Sequence, residues 1–121
     1  MLISIIIPYY KDEENILHSV NSAIKQDYSN IEIIIIDDEN SDVSKKILLS
    51  IKKKSSRIKV ISTKKNVGVS HARNLGISYA TGNLIAFLDS DDLWKKDKLK
   101  KQINFMNKNK IDLCYTNYHA F

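Results

Sequence analysis

Four short aliphatic runs, separated by longer segments, constrain the fold of this chain more than any other feature of its sequence. The runs are rich in isoleucine and cover residues 3–7, 31–36, 58–61 and 84–88. In the segments between them, apolar residues recur at the three- and four-residue spacing of a helix that buries one face. Continuously apolar strands that alternate with helices are typical of a parallel sheet covered by helices on both faces. The sequence therefore predicts an α/β fold with a mainly parallel sheet.

Capping residues indicate where the helices begin, because short polar side chains accept hydrogen bonds from the free amides of a first turn. The expected starts are Asp12 for the first helix, Ser41 or Asp42 for the second and about Ser70 for the third, with a fourth helix over residues 95–109. Residues 112–116 are a candidate fifth strand, in which Cys114 would pack.

Length and composition fit one soluble domain. At 121 residues the chain has single-domain size, and its one cysteine excludes an internal disulfide. No apolar run reaches the roughly 20 residues that span a bilayer. The opening MLISIIIPYY has no basic lead for a signal peptide. These features predict a cytoplasmic protein.

The net charge of +5 comes with lysines concentrated in residues 45–65 and 95–110. Because these lysines alternate with apolar residues at helical spacing, we interpret them as solvated helix faces. A patch that binds nucleic acid, anionic lipid or an acidic substrate is the alternative.

Polar residues follow three of the four predicted strands at the point where each strand ends. These residues are Pro8-Tyr9-Tyr10 after the first strand, Asp37-Asp38 after the second and Asp89-Ser90-Asp91-Asp92 after the fourth. If the strand order is 3-2-1-4, the order reverses between strands one and four, and ligands bind beyond the carboxyl ends of the strands at such a reversal. The three groups would then share one crevice.

Five aspartates at one crevice require a compensating charge, for which a divalent cation is the natural candidate. Carboxylate oxygens suit Mg²⁺ and Mn²⁺, and Mg²⁺ is commonly held by one or two carboxylates together with substrate phosphates. The alternatives are a turn and helix N-cap for residues 89–92, and a turn into the second helix for Asp37 and Asp38. Tyr9 and Tyr10 either stack on a base or close the crevice.

Three longer segments resemble a known family. SIIIPYYKDEENI, SAIKQDYSNIEIIIIDDENSD and NVGVSHARNLGISYATGNLIAFLDSDDLWKKDKL look like the nucleotide-binding part of family 2 glycosyltransferases. That family has a strand-Pro-x-Tyr start, an Asp-Asp-x-Ser-x-Asp segment, an Ala-Arg-Asn-x-Gly helix and an Asp-x-Asp-Asp loop, and the same order is found here over nearly all of residues 3–116.

The resemblance implies a Rossmann-like domain of the GT-A type. It also implies transfer of a sugar, usually with inversion, from a nucleotide-diphospho-sugar to a hydroxyl of a carbohydrate or glycolipid acceptor. A UDP-sugar is the favoured donor, Mn²⁺ or Mg²⁺ the expected cofactor, and synthesis of a cell-surface polysaccharide or glycoconjugate the expected setting.

The resemblance also implies roles for individual residues. Nucleotide-sugar binding is expected of Pro8, Tyr9 and Tyr10 beside the nucleoside, of Asp38 on the base with Asp37 supporting it, and of Arg73, Asp89 and Ser90. Metal binding is expected of Asp89, Asp91 and Asp92, with Asp91 as the foremost ligand. Arg73 either borders the donor or pairs with an aspartate at a strand end and holds the loops.

The chain departs from the family pattern at two places. Glu39 and Asn40 stand where the family commonly has Gly-Ser, which predicts a local difference in that loop because glycine permits a positive φ. In addition, Lys95-Lys96-Asp97 lacks the proline that is common just before the aspartate.

The family places its catalytic base and acceptor site in a C-terminal half. We therefore expect residues 1–121 to be a donor domain cut before that half, with the base beyond Phe121 and little transferase activity by itself. The uncovered face predicts self-association. A peripheral position at the inner membrane face is compatible with this setting.

Two other classes of protein compete with this interpretation. A signalling receiver domain also has a parallel sheet with an acidic Mg²⁺ pocket, but it carries the acid pair after its first strand. Such a domain also has a lysine near the end of its fifth strand, whereas residues 111–121 contain none. A binder of nucleic acid or another anionic surface would rely on the lysines, and its affinity would fall steeply with salt. We expect no nucleic-acid partner.

Overall fold

The computed structural model describes residues 1–117, and the last four residues of the predicted domain lie outside this range. The strands are β1 (Ile3–Tyr9), β2 (Ile31–Asp37), β3 (Ile58–Ser62) and β4 (Leu84–Phe87). The helices are α1 (Ile16–Ile24), α2 (Asp42–Lys52), α3 (Val69–Tyr79) and α4 (Lys98–Asn109). Each of the four aliphatic runs is a strand, with its end shifted by one or two residues.

The strands form a parallel sheet in the order β3-β2-β1-β4, which confirms the predicted order. Strand β1 pairs with both β2 and β4, so the order reverses at β1. Tyr9 lies opposite Asp37 in the pairing of β1 with β2, and Ile6 lies opposite Phe87 in the pairing of β1 with β4. This register brings the polar residues that follow β1, β2 and β4 to one edge of the sheet.

Helices cover both faces of the sheet, as the apolar strands predict. One face packs against α1, α2 and α4 around the side chains of Ile5, Ile33 and Ile35. The other face packs against α3 through Ile6, Ile34, Ile36 and Ala72. These β1 and β2 side chains are fully buried, as expected of strands that are covered on both sides.

Helix α3 lies unusually close to β1 because it has a glycine at the contact. A Cβ atom placed on Gly76 would stand 2.5 Å from Cγ2 of Ile6. Any larger residue would therefore push the helix away from the strand. The close contact fixes the position of α3, whose first turn borders the candidate site.

The prediction of a fifth strand was wrong. Residues 112–116 pair with no strand of the described sheet, and the side chains of Leu113 and Tyr115 are 85% and 91% exposed. The segment instead lies beside α4, where Lys98 Nζ donates to Thr116 Oγ1 at 2.9 Å and Gln102 Nε2 to Cys114 Sγ at 3.5 Å. The expected packing of Cys114 in a strand was therefore also wrong. The short apolar stretch does not form a strand here because no neighbouring strand or covering layer buries its side chains.

Two helices begin later than their sequence signals indicated. The side chain of Asp12 does not cap α1: it accepts from Asn15 Nδ2 at 2.8 Å and from Ser90 Oγ at 2.6 Å, and a turn follows it before the helix starts. Before α4, the Lys95 carbonyl accepts from the Gln26 side chain at 2.7 Å. Side chains that bond across the fold therefore delay both helix starts. Helix α2 begins as expected, with Ser41 as its N-cap.

The lysines of α2 are exposed, as the interpretation of solvated helix faces predicts, but the interpretation was wrong for Lys59, which lies in β3 and pairs with Glu32 at 3.0 Å, and for Lys64 and Lys65, which lie in a loop. Within residues 1–117, no helix combines the length and the hydrophobicity needed to cross a membrane.

Candidate functional site

An open groove of about 510 Å³ lies beyond the carboxyl ends of β1 and β4, at the point where the strand order reverses. Its volume is within the range of small-molecule sites. The predicted residues that line the groove are Pro8, Tyr9, Tyr10, Asp38, Arg73, Asp89, Ser90 and Asp91. Asp37 and Asp92 are not among the lining residues. The structure thus brings together eight of the ten residues expected at the site.

Asp37 and Asp38 are neighbours in sequence but face different surroundings. The Asp37 carboxylate accepts from the backbone amides of Glu39 and Asn40 at 3.2 and 3.0 Å and from Ser44 Oγ at 2.9 Å. It is fully buried and holds the loop before α2. For Asp37, the turn into α2 that was the alternative to ligand binding is therefore present. Asp37 can therefore act on a ligand only indirectly, by supporting its neighbour.

Asp38 holds the segment that leads into α3. One carboxylate oxygen accepts from Thr63 Oγ1 at 3.0 Å and from the Val67 amide at 2.9 Å. The other oxygen accepts from the Gly68 amide at 3.0 Å. A carboxylate offers about four acceptor positions, so one remains on a residue that lines the groove. Asp38 can accept a hydrogen bond from a ligand without releasing the loop.

The two tyrosines have different environments. Tyr9 is 1% exposed and packs in the core between the sheet and α1. Burial, together with the charges of Glu39 and Glu13, raises the pKa of its hydroxyl to about 12. Tyr10 is 48% exposed at the groove. Stacking on a base is therefore open to Tyr10, whereas the Tyr9 ring closes the floor of the site.

The acidic loop, residues 89–92, provides three carboxylates whose oxygens approach within 4.8 Å of one another. Asp89 Oδ1 accepts from Arg73 at 2.8 Å, so Arg73 both lines the groove and holds the loop. Loss of hydration and the charges of Asp91 and Asp89 raise the pKa of the Asp92 carboxyl. None of the ion pairs in the described residues involves Asp91 or Asp92.

Residues 89–92 do form the turn of the alternative, since the Asp92 amide donates to the Asp89 carbonyl at 3.0 Å, but they do not form the helix N-cap, and their carboxylates are compatible with a divalent cation. Helix α4 begins at Lys98 with Asp97 at its N-cap position, so none of the three aspartates caps it. The three oxygens are of the type that Mg²⁺ and Mn²⁺ prefer. Mutual repulsion within the cluster would be relieved by one bound cation.

Ser90 does not point freely into the groove, because its hydroxyl donates to Asp12 at 2.6 Å. Sequence reasoning had assigned Asp12 to a helix cap and had missed its contact with the acidic loop. Lys11, Asp12 and Asn15 all line the groove. They belong to the polar stretch directly after Pro-Tyr-Tyr, which was the available signal.

Sequence reasoning also missed two apolar lining residues, Val69 and Ala72. Together with Arg73 they stand at helical positions i, i+3 and i+4, so they share one face of the first turns of α3. That helix has no side-chain cap from its N-cap residue, Gly68, whose φ is 86°. The positive end of its dipole is therefore directed at the groove, where it would attract an anion.

The loop after β2, in which Glu39 and Asn40 depart from the family pattern, is bonded to the loop after β1. The positive φ stands at Asn40, with a value of 51°, rather than at the position of the usual glycine. Glu39, which occupies that position, accepts from the Lys11 amide at 3.1 Å and from the Ser41 hydroxyl. Lys11 also has a positive φ, of 47°. Glu39 thus joins the loop after β2 to the loop after β1.

A parallel sheet in this order, with its site at the switch point, defines a Rossmann-like fold of the GT-A type. The family described as Glycosyl transferase family 2 matches residues 4–121. The chain belongs to this family, as the sequence motifs predicted. Family membership and the strand order exclude the alternative of a receiver domain.

Several proteins that are named as glycosyltransferases are similar to this chain. The Escherichia coli protein WfgD, named as a UDP-Glc:alpha-D-GlcNAc-diphosphoundecaprenol beta-1,3-glucosyltransferase, is 44% identical over 97% of the chain. TuaG of Bacillus subtilis, named as a putative teichuronic acid biosynthesis glycosyltransferase, is 40% identical over 97% of the chain. The chain covers 46% of each of these relatives, so it spans less than half of their length.

Solved structures agree with the fold. S. aureus TarS in complex with UDP-GlcNAc superposes with a TM-score of 0.81 at 31% identity, over 91% of this chain and 32% of that one. A mannosyltransferase from Pyrobaculum calidifontis, solved with GDP-Man and Mn²⁺, has a TM-score of 0.79 at 21% identity, over 86% of this chain and 32% of that one. At that identity the second likeness concerns the fold alone.

Proposed function

We propose that this chain is the donor-binding part of an inverting glycosyltransferase that transfers a sugar from a nucleotide-diphospho-sugar to a hydroxyl acceptor. The observation that carries the proposal is the groove itself, which combines Asp38, the exposed Tyr10 and the acidic loop at one sheet edge. The names of the relatives favour a UDP-sugar donor, because WfgD is named for UDP-Glc and TarS was solved with UDP-GlcNAc.

The groove suggests a position for each part of the donor. Tyr10 offers an exposed ring on which a base can stack, and Asp38 retains one acceptor position for an N–H of that base. The α3 N-terminus and Arg73 would face the diphosphate, since both present positive charge to the groove. The donor would thus extend from the loop after β2 toward the acidic loop.

Asp91 and Asp92, with Asp89, are the residues that would hold Mn²⁺ or Mg²⁺. When bound, such a cation neutralises the negative charge that develops on the departing nucleoside diphosphate. Arg73 pairs with Asp89, so it limits the spread of the three carboxylates. The chain's own residues therefore bind the donor and define the place where its diphosphate leaves.

Activation of the acceptor requires a general base that removes a proton from its hydroxyl. We propose that this base belongs to the part of the longer relatives that this chain does not match. A donor domain of this kind would bind UDP-sugar and transfer little sugar by itself. The relatives' names favour polysaccharide or glycoconjugate synthesis as the setting.

WfgD is named for a lipid-linked diphosphoundecaprenol acceptor. An acceptor of this class would bring the groove of the present protein to a membrane surface, which supports the expected peripheral position at the inner membrane face. Sedimentation with anionic lipid vesicles is the direct measurement, and absence of protein from the pellet would count against this position.

Calorimetric titration of the chain with UDP, with and without Mn²⁺, tests the proposal. We expect binding that requires the metal, and we expect Asp91→Asn to weaken it by at least about tenfold, since even the partners of metal ligands contribute that much. The matched control is Asp112→Asn, which removes one exposed carboxylate outside the groove. Binding without metal, or equal binding by the Asp91 variant, would refute the metal-dependent donor site.

A further inference from the structure

Helix α1 presents a row of polar side chains to the acidic loop and the segment that follows it. The row consists of Ser19 and Ser22, three residues apart on one face of α1, and of Gln26, which lies two residues beyond the end of the helix. Ser19 is fully buried and Gln26 is 7% exposed. Buried polar groups of this kind are normally present because they bond to something specific. We call these three side chains the α1 polar row.

The contacts of the row follow the chain from the acidic loop to the start of α4. Ser19 Oγ lies 2.6 Å from the Ser90 carbonyl oxygen and 2.6 Å from that of Asp92. Ser22 Oγ accepts from the Trp94 amide at 3.2 Å. The Gln26 amide group donates to the Lys95 carbonyl at 2.7 Å and accepts from the Leu99 amide at 3.0 Å. Helix α1 and the residues just after it thus hold the segment at successive points.

Ser19 has a special place in the row because its two partners flank Asp91. One hydroxyl proton serves both carbonyl oxygens, so the hydroxyl draws the backbone on the two sides of Asp91 toward a single point. The loop is further closed by the Asp92 amide, which donates to the Asp89 carbonyl at 3.0 Å. The backbone positions of all three carboxylates in the acidic loop therefore depend on this contact.

Arg73 holds the Asp89 carboxylate at 2.8 Å, but no ion pair of the described residues holds the carboxylates of Asp91 and Asp92. Asp91 and Asp92 are exposed, and like charges within 4.8 Å repel one another. Without a bond on the opposite side of the backbone, the loop would lower its energy by spreading. A spread loop would present its oxygens too far apart for one cation, because small divalent ions tolerate little variation in ligand distance.

We propose that Ser19 is a positioning residue that sets the geometry of the acidic loop and thereby its affinity for the divalent cation. The inference rests on the proposed function, since it presumes that the loop holds such an ion. Ser19 itself lies beneath the loop and contacts neither metal nor donor. Ser22 and Gln26 extend the same support toward α4, so their effect on the metal should be weaker.

Titration of Mn²⁺ in the presence of saturating UDP, followed by electron paramagnetic resonance of the free ion, tests this role. We expect Ser19→Ala to raise the Kd for Mn²⁺ by about tenfold, the lower end of the effect of groups that orient metal ligands. The matched control is Ser78→Ala in α3. The Ser78 hydroxyl also donates to a backbone carbonyl at 2.6 Å, but this carbonyl belongs to Leu75 in the same helix and lies away from the acidic loop. The control should leave the Kd unchanged.

The outcomes separate the role of Ser19 from the proposed function. If the wild-type chain binds no Mn²⁺, the proposed function fails. If it binds Mn²⁺ and Ser19→Ala binds equally well, the positioning role alone is overturned. A lower melting temperature with an unchanged Kd would show a purely structural hydrogen bond. Should Ser19→Ala not fold, Ser19→Cys takes its place, because it fills the buried site but donates only weakly, with at least a doubled Kd as support and an unchanged Kd as refutation.

Discussion

Among the described carboxylates, Glu32 has a pKa that its surroundings shift strongly. It lies between Ile31 and Ile33 in β2, at the end of the sheet away from the groove, and is 6% exposed. Its carboxylate accepts from Ser4 Oγ at 2.6 Å, from the Thr81 amide at 2.7 Å and from Lys59 Nζ at 3.0 Å. Burial alone would raise the pKa, but these bonds outweigh it and lower the pKa from 4.5 to about 2.

The lowered pKa makes stability depend on pH in a definite direction. The folded state prefers the ionised Glu32, so its contribution is fully present above pH 4.5 and is lost as the pH falls toward 2. At roughly 1.4 kcal/mol for each tenfold change in proton affinity, the contribution is on the order of 3 kcal/mol. We expect Glu32→Gln to lower the free energy of unfolding at pH 7 and to flatten its decline below pH 4.5.

Urea unfolding of both chains between pH 7 and pH 3 provides the measurement. Asp112→Asn again serves as the control, because Asp112 is an exposed carboxylate outside this cluster. Parallel pH profiles for wild type and Glu32→Gln would show that this carboxylate does not carry the acid sensitivity.

At the scale of secondary-structure elements, α1 and α3 each position a different part of the site. Helix α1 supports the acidic loop from beneath through Ser19, while α3 directs its first turn at the groove through Val69 and Arg73. The two helices lie on opposite faces of the sheet. The groove therefore depends on the packing of both faces, and a change in either helix should affect the site.

Gly76 allows a direct test of this dependence. Gly76→Ala would place a methyl group 2.5 Å from the buried Ile6 side chain, which should destabilise the fold by about 2 kcal/mol. It should also weaken UDP binding, because α3 must move away from β1 and carries Arg73 with it. Thermal unfolding and UDP titration measure the two effects, with the exposed Ser78→Ala as the control. Unchanged stability would mean that the contact relaxes without displacing the helix.

At the scale of the whole molecule, β4 stands at the edge of the described sheet and pairs only with β1 there. Ile85 and Phe87 of this strand are 38% and 47% exposed. An edge strand with exposed apolar side chains is prone to associate with another chain. These features support the expected self-association of this chain.

We expect the apparent mass to rise with concentration in sedimentation velocity experiments, because pairing at the β4 edge would cover these side chains. Ile85→Lys should reduce the association, since edge lysines oppose pairing. Leu49→Lys in α2 is a suitable control because Leu49 is also exposed, at 57%, but lies on another element. A monomer at all concentrations, or an equal effect of both substitutions, would contradict association through this edge.

Much of this molecule could be predicted from the sequence. Short, mainly apolar runs identified all four strands of the described sheet, because strands that are covered on both faces are apolar at most positions; Ser4, Glu32 and Lys59 are the polar exceptions. The polar residues at the strand ends indicated the site, because parallel strands bring their carboxyl ends to one edge. The prediction of a fifth strand failed because a five-residue stretch with three apolar residues does not indicate whether a partner strand or a covering layer is present.

Only the tertiary structure decided which residue of Asp37 and Asp38, and which of Tyr9 and Tyr10, is available to a ligand in the groove. Successive residues of a strand point to opposite faces, so Asp37 turns to α2 and Asp38 toward α3 and the groove. Tyr9 is likewise taken into the core, and Tyr10 is left at the groove. The sequence determined that these residues gather at one edge. Their individual roles depend on which helix covers which face, and that is set by contacts between residues far apart in the chain.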